Sequence, residues 1–151
     1  ELKQDSGLPL WATGSSAPCL SLFKPFFTDT PVSDENFCKT PGANADNSHW
    51  WQWEAWHREA LQNYPVAKSI WTKMAWPLEQ QWLRDQEERV KTGSGMVEQE
   101  RNSRDAMEAS LRVLQEMRET LRKSGREKTG WPYRHYWNRW NRKAGLPASF
   151  R

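Results

Sequence analysis

The stretch WATGSSAPCLSLFKPFF, residues 11 to 27, decides how this chain is read. Leu8, Leu10 and Ala12 form one short apolar run, and Leu20, Leu22 and Phe23 form a second. Gly14, Ser15, Ser16, Ala17 and Pro18 lie between them. Two such runs around a Gly/Ser/Pro break predict strand, turn, strand. The alternation is incomplete, which predicts strands covered on both faces, as in a sheet layered between helices. A lone two-stranded hairpin is barely stable in water. Nothing after Asp29 reads as a further strand, so the remaining strands of the sheet are expected from elsewhere. The chain therefore reads as the C-terminal part, or a processed subunit, of a larger sheet protein.

Downstream, the chain turns helical. Residues 28 to 48 are rich in Pro, Gly, Asn and Asp and predict a long surface loop with Phe37 and Cys38 as its only anchors. A first helix is expected from about Ser48, capped by Asp46, Asn47 or Ser48. Its predicted buried face is Trp50, Trp53, His57, Ala60, Leu61 and Tyr64, with Glu54 and Arg58 paired one turn apart. Pro65 either ends it or opens the next helix. A second helix is predicted from Val66 to Lys91, with a stripe of Ile70, Trp71, Met74, Leu78 and Trp82 and a kink at Pro77. Gly93-Ser94-Gly95 stops it. A third, from Met96 to Lys123, carries Val97, Met107, Leu111, Leu114 and Leu121 at helical steps and predicts a long antiparallel hairpin with the second. Its polar first half, EQERNSRD, is expected to project from the body. The last segment, from Gly130, predicts a short helix with Pro132 in its first turn, ended by Gly145 and Pro147. The fold class is thus α+β, organised as 1–48 strand pair and loop, 49–125 helical region, and 126–151 basic aromatic tail.

Composition bounds function. The 151 residues suffice for one core, and hydrophobic content is only 36%. Eleven tryptophans compensate, since each ring buries a large area. No run approaches a membrane span, and no basic-then-apolar leader is seen at the N-terminus. Glu1 stands where a Met would begin a gene product, which fits either an upstream piece removed or a boundary inside a gene. Compartment is left open, with a reducing one favoured by two cysteines that lack metal-ligand spacing. Cys19 and Cys38 read as free thiols, with Cys19 packed in a strand, or as a single disulfide if the protein is exported.

Constellations for chemistry are sparse. Thr92-Gly93-Ser94-Gly95 lacks the Lys and the spacing of a phosphate loop. His49, His57 and His135 do not form a ligand set, so no metal and no cofactor is expected. Cys19 could act as a nucleophile only if Lys24 or His57 were brought beside it. The tail is basic. Between Arg122 and Arg151 nine Lys and Arg face the single acid Glu127. Arg134, Arg139, Arg142 and Lys143 with Tyr136 and Trp140 could contact RNA. The alternative, and the expectation here, is that Tyr133, Trp137 and Trp140 pack on the core while the arginines stay solvated or pair with acids of the third helix; nucleic acid is not an expected partner.

Two segments together resemble the secernin-like cysteine dipeptidases. Thr13 and Gly14, followed by Ser21, Phe23, Lys24, Pro25 and Phe26, look like that family's Thr-Gly turn and Ser-x-Phe-Lys-Pro-Phe strand. Trp53, Glu54, His57, Arg58 and Tyr64 look like its Trp-led helix. The resemblance covers residues 7 to about 90 and does not extend to the tail. It implies an N-terminal-nucleophile hydrolase, with two stacked sheets flanked by helices and a catalytic cysteine that is the first residue after processing. Neither Cys19 nor Cys38 corresponds to that cysteine. The expected function is accordingly the C-terminal chain of a cysteine amidohydrolase, with its nucleophile on another chain or absent. No catalytic residue is assigned; Ser21 and Lys24 are the candidates for positions near the site. The expected partner is a second polypeptide carrying the rest of the sheet, in a hetero- or homo-oligomer. The competing expectation is a non-enzymatic helical subunit of a larger assembly.

Overall fold

The computed structural model describes residues 9–28, 30, 38–93, 95–125, 127 and 129–150. The polar lead-in, the loop anchor Phe37 and Ser94 lie outside them. Two strands, β1 (Pro9–Ala12) and β2 (Lys24–Phe27), pair antiparallel, with Leu10 opposite Phe26 and Ala12 opposite Lys24. They form a two-stranded sheet, and the helices follow. These are α1 (His49–Ala60), α2 (Tyr64–Met74), α3 (Trp76–Thr92), α4 (Met96–Lys123) and α5 (Trp131–Lys143). The α+β reading holds.

The hairpin differs in one respect from the expected strand–turn–strand. The second strand begins at Lys24, after the Leu20–Phe23 run, and the connection spans residues 13 to 23 with a 3-10 turn at Pro18–Leu20. Leu20 and Leu22 are fully buried nonetheless, within one cluster with Trp53, Trp56, Leu114 and Met117. A loop can be buried this way only if its backbone groups find partners. Tryptophans supply them. Trp56 Nε1 donates to the Leu20 carbonyl at 2.9 Å, and Trp71 Nε1 to the Ser21 carbonyl at 3.2 Å. The Glu79 carboxylate accepts from the Phe23 amide at 2.7 Å. Three helices thus grip one loop.

Ser48 is the N-cap of α1, its hydroxyl accepting from the Trp51 amide. The buried face of α1 is not the predicted one: Trp51, Glu54, Ala55 and Trp56 join Trp53 and Ala60, while Tyr64 is exposed and opens α2. The face rotates because Trp56 must reach Leu20. Pro65 occupies the first turn of α2, the second of its two predicted roles. The predicted long second helix is two helices broken at Ala75, with Pro77 in the first turn of α3 rather than at an internal kink. Pro77 lacks the amide that a continuous helix would require there.

At the tip of the helical hairpin Gly93 adopts φ +77°, a left-handed conformation that favours glycine, and Arg89 pairs with Glu98 at 2.9 Å. The arm that packs on α4 is chiefly α2, whereas α3 lies along β2. The first half of α4 does not project. Gln99 and Ser103 are buried, and this end runs against β2, with Thr30 Oγ1 donating to Gln99 Oε1 at 3.4 Å. Val97, predicted on the apolar stripe, is exposed.

Candidate functional site

Lys24 opens β2 opposite Ala12, whose small side chain leaves room for it. Its side chain is completely buried. The amino group donates to the Thr13 carbonyl at 3.0 Å and the Leu22 carbonyl at 2.8 Å, and lies 5.7 Å from the centre of the Trp53 ring. Burial lowers its pKa to about 7, against a weaker pull upward from the Glu79 charge. Ser21 is buried beside it; its hydroxyl accepts from Thr13 Oγ1 at 3.2 Å. Thr13 also bonds Ser15. Thr13 therefore joins the two predicted positions, one through its carbonyl and one through its hydroxyl. In this chain neither Ser21 nor Lys24 offers a polar atom to solvent. Both hold the loop between the strands.

A second polar cluster ties that loop to α1. Ser16 Oγ donates to Glu54 Oε2, and His57 Nδ1 lies 3.2 Å from the same oxygen and 3.4 Å from Ser16 Oγ. Arg58 Nε donates to Glu54 Oε1 at 2.7 Å, the predicted one-turn pair. Burial pushes the Glu54 carboxyl up, but hydrogen bonds from His57, Ser16 and Arg58 outweigh it and hold its pKa at about 2. A hydroxyl, an imidazole and a carboxylate invite comparison with a nucleophilic relay. Such a relay uses one ring nitrogen for the hydroxyl and the other for the acid. Here Nδ1 faces both groups and Ser16 bonds the acid directly, so the arrangement is a tether.

Arg58 carries this tether to the tail. Its guanidinium donates to Asn141 Oδ1 at 3.0 Å and sits between the rings of Trp51 (5.3 Å) and Trp137 (5.6 Å). Asn141 Nδ2 in turn reaches the Pro147 carbonyl, and Trp137 stacks on Phe150 at 6.0 Å. The Glu54–Arg58 spacing announced half of this node. The partner Asn141 on α5 lies 83 residues from Arg58 and has no local signature.

Neither cysteine is assembled for catalysis. Cys19 is exposed on the 3-10 turn, not packed in a strand as expected, and Cys38 is exposed as well. Neither is part of a disulfide. The bases considered for Cys19 are engaged elsewhere, Lys24 with carbonyls and His57 with Glu54 and Ser16. Among the described residues no group of three or more His, Cys, Asp or Glu could hold a metal ion. His49 is buried beside Trp53, and His135 stacks on Trp131.

Among the described residues one cavity, about 440 Å³, opens between α2 and α4 beside Ile70 and Thr120, and two others carry charged walls. One of about 280 Å³ lies between α3 and α4 with Pro25, Trp82, Arg89 and Asp105 among its walls. The other, about 330 Å³, is bounded by Arg58, Glu59, Arg118, Arg122 and Asn141. Glu59 accepts from both Arg118 (3.0 and 2.8 Å) and Arg122 (2.9 Å) there. Burial raises its pKa, but the two guanidinium partners bring it down overall. No helix of the structure is long and apolar enough to cross a membrane among the described residues.

The tail departs from its expected packing. Trp137 is half-buried, but Trp131, Tyr133, Tyr136 and Trp140 are exposed. No ion pair links an α5 arginine to an acid of α4 among the described residues; α4 instead turns Arg118 and Arg122 onto Glu59 of α1. Comparison with protein-family models, curated proteins and solved structures finds no match for this chain.

Proposed function

We propose that this chain is the C-terminal portion of a secernin-like cysteine amidohydrolase, whose β1–β2 hairpin is joined by strands from a companion polypeptide bearing the nucleophilic cysteine. The observation that carries the reading is the setting of Lys24–Phe27. All four residues are buried under α4 and α3, and among the described residues their one partner strand, β1, is partly open, with Leu10 54% exposed. Among the described residues no strand pairs with the outer edge of β1, and a strand from a partner would add there through its backbone. The Ser-x-Phe-Lys-Pro-Phe segment that carries the family resemblance is also where this chain concentrates its anchoring. Residues 21 to 24 are fixed by Thr13, Trp71 and Glu79. In this reading Ser21 and Lys24 position the strand under the active site and do not touch substrate. The reaction is amide hydrolysis by a thiolate whose own N-terminal amine takes the proton.

The test is intact-mass analysis of protein isolated from its source, joined to an assay. A second, longer chain beginning with Cys, together with dipeptide hydrolysis abolished by iodoacetamide, supports the proposal. A 17.8 kDa monomer that unfolds cooperatively and protects the outer amides of β1 from exchange overturns it.

A further inference from the structure

Helix α5 is held by one face only. Trp137, Asn138 and Asn141 point inward, where Asn138 receives the Phe150 amide and Asn141 receives Arg58. At 100° per residue the opposite half of the helix carries, in angular order, Trp131, Arg142, His135, Arg139, Lys143, Tyr136 and Trp140, with Pro132 of the first turn between Arg139 and Lys143. All are exposed, Trp131 by 66%. Cations occupy the middle of this face and aromatic rings its two margins. The segment from Thr129 to Phe150 contains no acid. Arg139 has no hydrogen bond or ion pair among the described residues, and Lys143 is engaged only with the Trp140 ring, 4.7 Å away.

From this face we infer a binding site for single-stranded nucleic acid, independent of the hydrolase reading. Three features choose that ligand. The charge is of one sign and unneutralised, which suits a polyanion. The rings at the margins are exposed; Trp131 and His135 are already stacked at 5.4 Å and 20°, and Tyr136 meets Trp140 at 6.2 Å. Unpaired bases can stack on such rings while phosphates meet Arg139, Arg142 and Lys143. A duplex hides its base faces and leaves the rings without a partner. An anionic membrane surface would call for an apolar centre with Leu or Phe and cations at the edges. This face has the reverse order, carries no Leu or Phe, and its one aliphatic ring, Pro132, sits among the cations.

The experiment is fluorescence anisotropy of the full chain with a labelled single-stranded oligonucleotide. The comparison ligands are a duplex of the same sequence, inorganic polyphosphate and vesicles containing phosphatidylserine. Three phosphate contacts predict a slope near −2 in log K against log salt, so affinity falls roughly 15-fold between about 50 and 200 mM. R139A/R142A/K143A is expected to flatten that slope, and W131A or W140A to weaken binding at least about fivefold each with the slope retained. Arg139→Glu, at a side chain free of polar partners, repeats the charge test with the least risk to folding, checked by helix content. Polyphosphate binding as tight as the oligonucleotide, preference for duplex or vesicles, or no binding at about 50 mM salt overturns the inference.

Discussion

Lys24 offers the sharpest test, because two accounts of it predict opposite dependence on pH. If it were the cationic partner of Glu79, folding would raise its pKa and stability would fall at high pH. The geometry supports the other sign. A neutral amine has two N–H donors, and two carbonyls, of Thr13 and Leu22, accept them. The ammonium has a third, which finds only the Trp53 face among the described residues. Burial lowers the pKa from 10.5 to about 7. Between those values the unfolded chain carries a proton at Lys24 that the native chain lacks, so stability rises with pH. The slope is about 1.4 kcal/mol per pH unit, or roughly 3 to 5 kcal/mol across the window. Below about pH 7 both states are protonated and the contribution is constant at its minimum. Urea unfolding followed by Trp fluorescence from pH 6 to 10 reads this directly, given a constant m. K24M should be near neutral at pH 6, where it relieves a buried charge. At pH 9.5 it should cost about 2 to 4 kcal/mol, since two buried carbonyls lose satisfied donors. Wild-type stability that falls with pH, or a slope that survives in K24M, would refute the carbonyl clamp.

Trp56→Phe leaves the Leu20 carbonyl buried without its donor and should cost about 1 to 3 kcal/mol by chemical denaturation; Trp71→Phe should cost less, its ring being only partly buried. For Glu54 the sign is reversed from Lys24. Its lowered pKa contributes stability present above its ordinary 4.5 and lost as pH falls through about 2, up to about 3 kcal/mol, and E54Q should remove that acid-limb loss. Arg58→Ala should release the tail, seen as early proteolysis after Gly130 and a changed Trp137 emission, with Arg58→Lys rescuing little because a compact ammonium cannot span Glu54 and Asn141 between two rings. Ser48→Ala should cost about 1 kcal/mol of thermal stability through loss of the α1 cap.

What could be read from the sequence was what is local. The cap at Ser48, the Glu54–Arg58 pair, the stops at Gly93 and Gly145 and the extent of α4 each depend on residues within a few positions, and each is found. The errors lie where a distant group decides. Leu20 and Leu22 look like strand residues because they are apolar. They are loop residues because Trp56 and Trp71, 36 and 50 positions from the carbonyls they bind, satisfy that backbone without a second strand. The same demand turns α1 about its axis and buries Trp56 in place of Tyr64. The polar start of α4 looks solvated until β2 lies along it, where Gln99 and Ser103 are buried and Gln99 accepts from Thr30. Ser21 and Lys24 were singled out by resemblance alone, and the geometry gives them a shared physical role through Thr13. That role explains a choice of residue which neither periodicity nor charge pattern can. A lysine in a strand facing Trp53 is unfavourable by burial, yet it is the side chain here long enough to bond the Thr13 carbonyl from β2 while its stem fills the space opposite Ala12. A leucine at this position would fill that space and leave two buried carbonyls unpaired, so the loop would have to open to water and expose the grip of the tryptophans on residues 20 and 21.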